Sequence, residues 1–372
     1  MLEVVDCQMI EKTSKQTNEL GKKFANEKHC RTFQVMIGDL VNLTKNSEFD
    51  EKKSAILLFD YEEACRFSLF KSLYYKILCE QGNQNIEIVS TTVDDPVDWL
   101  QQFGLNISLE LWIALCCADY LYRYKFLIRP YEKRKGDTDV AYDNAKKILF
   151  EAVVKGNTIS GFKKALHLLS CVNVMKKELV HIGVTGDAFT RVHEYGMDPI
   201  FTAVEEMGGV IVMPPSWNDF IAYGSNIRSK KLLKQKKVFK AVVNEASSRF
   251  MYILRNQIQQ EAVKYSKLFI EPSNQDLTMF SEKYINIHTA PVIPSMFVGR
   301  TVDLVVNKKV KGLINAYGFN CCLGKITTVC VNELRKEHNN MPMLNFVDDG
   351  LEQTNIRTRL ESFMEQVKID II

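Results

Sequence analysis

The side chains best suited to chemistry in this chain are its ten cysteines: Cys7, Cys30, Cys65, Cys79, Cys116, Cys117, Cys171, Cys321, Cys322 and Cys330. None forms Cys-x-x-Cys, so zinc ribbons, ferredoxin-type runs and thioredoxin-like centres lack their local signature. Cys79, Cys116, Cys117, Cys171 and Cys330 fall inside helical apolar patterns, where a free thiol behaves as a small hydrophobe, and are expected in the core. Cys30 precedes an apolar helix, Cys65 follows a strand and Cys321 follows another. Those are positions at which parallel-sheet proteins gather ligands. An isolated cysteine carries little positional information, so on residues alone each of the three reads first as a buried thiol and second as a metal ligand.

Other chemistry is thinly represented. The stretch Gly318 to Ile326 has five residues between its glycines and Ile326 where a phosphate loop needs Ser or Thr for magnesium, so it is not one. No Gly-x-Gly-x-x-Gly follows a strand. The six histidines form no His-x-x-x-His pair and no His-Glu-x-x-His motif, and no nucleophile elbow is present. Between Phe220 and Asn244 stand Arg228, Lys230, Lys231, Lys234, Lys236, Lys237 and Lys240 with no acidic residue. Such a run is a solvated face or a docking surface for an acidic partner or the phosphates of a CoA ester.

Positioning falls to an alternating pattern of strands and helices. A helix near Glu11 to Lys28 leads to strand Ala55 to Phe59, a helix from about Glu63 to Cys79 and a strand at Ile86 to Val89. Helical patterns follow at Ser108 to Tyr124, Asp139 to Lys155 and Ile159 to Glu178, broken by Arg129-Pro130-Tyr131. The alternation resumes with strand Leu179 to Val184, helix Asp198 to Met207 and strand Val210 to Met213. After a polar helical region from Asn226 to Ser266 it closes on strand Gly312 to Ala316, helix Gly324 to Glu337, strand Met343 to Val347 and helix Asn355 to Val367. The expectation is an α/β protein of two doubly wound, Rossmann-like parallel-sheet domains with an intervening helical segment. The first domain covers 1–105 with a shortened N-terminus, the helical segment 106–178, and the second domain 179–372 with a basic helical insertion at 226–266.

With 372 residues, 46% hydrophobic and 25% charged, the composition excludes disordered, collagenous and coiled-coil chains. The balance of 48 basic against 45 acidic residues leaves +3, too small a surplus to announce nucleic acid. The longest apolar run, Leu111 to Ala118, falls short of the ~20 residues of a membrane span. The start, MLEVVDCQ, carries no secretory pattern. A cytoplasmic protein with reduced thiols and no membrane partner is expected.

From about Leu20 onward, the order of several short stretches resembles the iron–sulfur component family of the 2-hydroxyacyl-CoA dehydratases. Within it the chain is most similar to the region that follows the ATPase domains in large CoA-substrate-specific enzyme activases. The resemblance rests on Gly21 to Cys30 with Gly38-Asp39, Leu57 to Cys65-Arg66-Phe67, Ile128-Arg129-Pro130-Tyr131-Glu132 with Gly136 and Asp137, and Ile182-Gly183 to Gly186-Asp187. It continues through Glu205 to Gly209, Ala316 to Cys321, Asp348-Asp349-Gly350 and Thr358 to Phe363. Where the family usually has glycines before its second cysteine, this chain has Glu62-Glu63-Ala64, and Arg66 follows.

The resemblance implies that Cys30, Cys65 and Cys321 are metal ligands holding a 4Fe-4S cluster with one iron open, Cys322 being a substitute ligand. It implies an electron delivered by an ATP-hydrolysing activator protein with its own cluster. In the dehydratases that electron reduces an acyl-CoA substrate to a ketyl radical that expels hydroxide. It further implies pairing of two related subunits, as a homodimer or heterodimer. Two other readings stand beside it: a double-cubane reductase of a small molecule, and a metal-free scaffold that serves an activase.

Overall fold

The computed structural model describes residues 12–46, 49–60, 65–92, 95–287, 292–351 and 355–369. Two helices, α1 (Lys15–Phe24) and α2 (Arg31–Thr44), precede strand β1 (Ala55–Asp60), helix α3 (Phe70–Glu80) and strand β2 (Glu87–Thr92). β1 and β2 pair in parallel, Ala55 opposite Glu87 and Asp60 opposite Thr92. Aromatic and branched side chains of α2, α3 and the strands, among them Phe33, Ile56, Phe70, Tyr74 and Ile88, bury one another in a cluster of their own.

The 33-residue helix α4 (Pro96–Ile128) follows, bent at Gly104, whose φ of 73° lies outside the helical region. Two shorter helices, α5 (Asp137–Val154) and α6 (Thr158–Ser170), pack against α4 and each other. By length and composition the stretch Asp98–Tyr131 could cross a bilayer. Inside the fold its carboxyl half is packed in the core. Trp112, Cys116, Tyr120 and Phe126 are buried, and its cations are satisfied internally: Arg123 by Glu271 at 2.6 Å, Lys125 by Asp139 at 2.9 Å and Arg129 by Glu205 at 2.7 Å.

The remainder builds a second sheet. Strand β3 (Val180–Gly186) leads through α7 (Ala188–Val192) and α8 (Glu194–Glu206) to β4 (Gly209–Val212). The helices α9 (Trp217–Lys234), α10 (Val238–Val263), α11 (Asn274–Glu282) and α12 (Val292–Val306) intervene before β5 (Gly312–Gly318), α13 (Cys322–Glu337), β6 (Met343–Asp348) and α14 (Ile356–Ile369). The order is β4-β3-β5-β6, all parallel. Strand order reverses between β3 and β5, the kind of switch point at which doubly wound sheets place a crevice outside the strands' carboxyl ends.

The chain is therefore α/β with two small parallel sheets, the first of two strands and the second of four among the described residues. Two expected helices are shorter than expected. The one expected near Glu11 to Lys28 spans Lys15–Phe24, its start set by Ser14, which accepts from the Thr17 N–H in a capping box. The one expected to run to Glu178 stops at Ser170, and 171–179 is an irregular connection tied to the end of α4 through Met175 N–H to Tyr131 O at 2.7 Å. The sequence predicts no helix at α12. Every residue from Val292 to Val305 is buried, so the apolar period that marks a half-exposed helix is absent there.

Candidate metal centre

Each of the three sequence-selected cysteines begins a helical element. Cys30 is the N-cap of α2 and Cys321 the N-cap of α13, while Cys65 opens the short 3-10 turn Arg66–Leu69 that runs into α3. Ser, Thr, Asp and Asn are the usual N-cap residues, so thiols at these places are a specific feature. The Cys321 Sγ accepts from the Gly324 N–H at 3.3 Å, the bond an N-cap oxygen would normally receive. A thiolate at the start of α2 or α13 also meets the positive end of the helix dipole.

Backbone contacts bring the first unit onto the β5–α13 loop. The Arg31 N–H, next to Cys30, donates to the Phe319 carbonyl at 3.0 Å, and the Asn320 side-chain amide donates to the Glu27 carbonyl. Arg66, next to Cys65, donates from Nη1 to the Lys28 carbonyl at 2.5 Å. Residues flanking all three cysteines thus hold one another. Asn320 takes a left-handed φ of 59°, which turns the chain sharply before Cys321. Gly318 lets Arg31 approach: a Cβ there would lie 2.8 Å from the Arg31 Cβ.

The thiols share one electrostatic environment. Burial pushes Cys30 up, Cys65 up to about 12 and Cys321 further still. Backbone N–H groups of Phe67 and Gly324 pull the last two back. Charge on Cys30 and Cys322 would add to the rise at Cys65, and charge on Cys65 and Cys30 to the rise at Cys321. Without a cation among them these thiols stay protonated; a bound metal reverses that balance by deprotonating its thiol ligands outright.

Asp187, the N-cap of α7 at the end of β3, is a residue whose role the sequence did not reveal beyond its place in the resemblance. Its Oδ1 accepts from the Thr190 N–H at 2.8 Å, and its Oδ2 from the Thr190 hydroxyl at 2.6 Å and from the Gly318 N–H at 2.9 Å. It is half-buried, desolvation raises its pKa, and its charge bears on all three cysteines. It therefore fixes the loop that presents Cys321.

Next to Cys30 in the chain, Arg31 forms a buried ion pair. Arg31, its side chain 1% exposed, donates from Nε to Asp348 Oδ1 at 3.1 Å, and the Gly350 N–H reaches the same oxygen at 3.0 Å. His193 Nδ1 stands 3.6 Å from Asp348 Oδ2. Burial would raise Asp348, but His193, Arg31 and the Gly350 N–H together hold it below the usual carboxylate range. Gly350 has φ 75°, and a Cβ there would lie 2.7 Å from the Arg31 Cζ. The Asp348-Asp349-Gly350 string is thus the seat of the arginine beside Cys30.

The other cysteines divide. Cys116, Cys117 and Cys330 are buried as expected, and Cys79 is half-buried. Cys171 is a correction: α6 ends one residue before it, so its thiol is exposed instead of packed in the core. Cys322, the first residue of α13, is half-buried beside the three. Cys7 and Glu62-Glu63-Ala64 lie outside the described residues. The Arg129 to Glu132 string is architectural: Arg129 binds Glu205, and both Glu132 oxygens accept N–H groups at the start of α5, from Gly136 and Thr138 at 2.9 Å each.

Among the described residues no three His, Cys, Asp or Glu side chains converge tightly enough to hold a single metal ion. A cubane asks for something else, because its thiolate ligands bind different irons and are spread around the cluster. In chemistry and placement, three half-buried thiols heading three elements in one electrostatic neighbourhood suit it. A cleft of about 1480 Å³ lies away from them, toward the amino ends of β3 and β4, lined by His181, Val210, Tyr131, Tyr265 and Lys308. It contains none of the cysteines. Scans against protein-family models, curated proteins and solved structures return no match to the chain.

Proposed function

We propose that the chain is an iron–sulfur redox protein of the 2-hydroxyacyl-CoA dehydratase type. Cys30, Cys65 and Cys321 would hold a 4Fe-4S cluster in the crevice at the carboxyl ends of β3 and β5, with its two sheets as the cores of two Rossmann-like units. It would work in the cytoplasm, taking a low-potential electron from an ATP-hydrolysing activator and using it on an acyl-CoA substrate or relaying it. The observation that supports this most is that Cys30, Cys65 and Cys321, widely separated in sequence, each stand beside a residue that bonds across to another's loop.

When bound, the cluster supplies one-electron chemistry at an iron that lacks a fourth protein thiolate. The chain's own residues do the rest. The amino ends of α2 and α13 offset the negative charge of thiolates at Cys30 and Cys321. Asp187 holds the Gly318 N–H and so the approach to Cys321. Arg31, anchored by Asp348, places a fixed positive charge behind Cys30. Half-burial keeps bulk water from the sulfurs, which tunes the potential.

The test is anaerobic reconstitution followed by dithionite titration under visible and electron paramagnetic resonance spectroscopy. A broad sulfur-to-iron absorption that bleaches on reduction, and that is lost in Cys30→Ala, Cys65→Ala and Cys321→Ala, supports the reading. A colourless protein leaves the metal-free scaffold.

A further inference from the structure

The hairpin formed by α9 and α10 carries a surface that the redox reading does not use. Its tip holds Leu233 (52% exposed), Val238 (58%), Phe239 (82%) and Val242 (61%). Around them stand Lys230, Lys234, Lys236, Lys237 and Lys240, all exposed. No acidic residue occurs between Phe220 and Asn244. The apolar row continues along α10 through Phe250 and Ile253. At ~100° per residue, Phe239, Val242, Phe250 and Ile253 fall within an arc of about 80°. The buried residues of α10, Ala241, Asn244, Ser248, Met251, Arg255 and Ile258, lie on the opposite side and face the protein. The row spans about 21 Å at ~1.5 Å per residue. The helix is thus apolar on its most solvent-facing side, which is the reverse of a helix that meets only water.

The geometry points to docking of this face on an anionic lipid surface, with Phe239, Val242, Phe250 and Ile253 in the interface and the lysines among the headgroups. Three features select a bilayer. The tip is convex and led by its most exposed aromatic ring, so it needs a soft surface and not a matching cavity. Bulky apolar residues rimmed by lysines are the composition of helices that lie in the headgroup region of negatively charged leaflets. A second copy of the chain fits poorly. Packed on the same stripe, it would bring the lysine tip against its own counterpart or against the Arg249 end, and Glu245, the acid flanking the stripe, is already paired with Arg249 at 3.0 Å. The expectation of no membrane partner considered only spanning segments, whereas this proposal concerns a surface contact.

The test is co-sedimentation of the full chain with vesicles of phosphatidylcholine alone or containing about 30% phosphatidylserine, the anionic lipid of cytoplasmic leaflets. Binding to the anionic vesicles at least about tenfold stronger than to the neutral ones, weakened by salt, is expected. Phe239→Asp should lower it about tenfold with all lysines retained, and Lys236→Glu with Lys237→Glu should lower it as much. Because the Phe239 side chain is solvent-facing, Phe239→Trp offers an independent reading: its emission should shift to the blue on anionic vesicles. Equal or absent binding to both vesicles overturns the proposal. So does unchanged binding by Phe239→Asp, which would make the lysines a general polyanion patch. So does a wild-type dimer that Phe239→Asp turns into monomer, which would place a second copy on the stripe.

Discussion

Removing the Asp187 carboxylate should loosen the Cys321 loop selectively. The side chain accepts three hydrogen bonds at 2.6 to 2.9 Å, two from Thr190 and one from the Gly318 N–H. In Asp187→Ala, α7 loses its N-cap, at about 0.5–2 kcal/mol, and the Gly318 N–H loses its partner, at about 1–3 kcal/mol if it stays buried. A combined cost of about 1.5–5 kcal/mol follows, concentrated where β3 and the β5–α13 loop meet. At ~1.4 kcal/mol per decade, the lower bound raises the population of the opened loop about twelvefold. Asp187→Asn keeps the volume but turns one acceptor into a donor facing a donor, so it should fall between the two. Peptide-resolved hydrogen exchange and thiol labelling of Cys321 in the metal-free protein read the loop directly. Exchange at Gly318 and labelling of Cys321 that match the wild type within about twofold would refute the reasoning, since that is well under 1 kcal/mol.

Gly186→Ala should be more damaging. Gly186 has φ 107°, and a Cβ would lie 1.8 Å from the Ala316 carbonyl oxygen on the paired strand, so a loss of about 3 kcal/mol or more is expected in urea denaturation. Glu271 lies between Arg123 at 2.6 Å and Arg300 at 2.5 Å; burial alone would raise its pKa, but the two arginines and Lys308 hold it down at about 2. Its contribution is present above its ordinary value near 4.5 and is lost as pH falls from there toward about 2, about 3 kcal/mol at ~1.4 kcal/mol per pH unit. In Glu271→Gln, stability measured from pH 5 down to pH 2 should lose that component of the slope. Native-state labelling should modify Cys171 rapidly while Cys116 and Cys117 stay protected, because only the first is exposed; equal rates would contradict the burial described.

The local elements were legible wherever a short apolar run met a turn: β1, β3, β5 and β6 were read within a few residues, because each is a parallel strand that buries at least every second residue along part of its length and is bounded by polar or glycine residues. The placement of Cys30 ahead of α2 and of Cys321 after β5 was legible for the same reason. What escaped depends on partners distant in sequence. Arg31 and Asp348 are 317 positions apart, and Arg123 and Glu271 are 148 apart, so nothing local marks either pair. The helix α12 escaped because it is buried on all sides, and the exposure of Cys171 because the apolar pattern of α6 outlasts the helix itself.

The central claim is that Cys30, Cys65 and Cys321 act together on iron, and the most direct measurement is iron and acid-labile sulfide per chain after anaerobic reconstitution. Wild-type protein and the control Cys171→Ala should each hold about four of both, as one 4Fe-4S cluster requires, with marked loss in each of the three single alanine variants. Metal-free wild-type protein, or content unchanged by Cys30→Ala, Cys65→Ala and Cys321→Ala, would contradict the account.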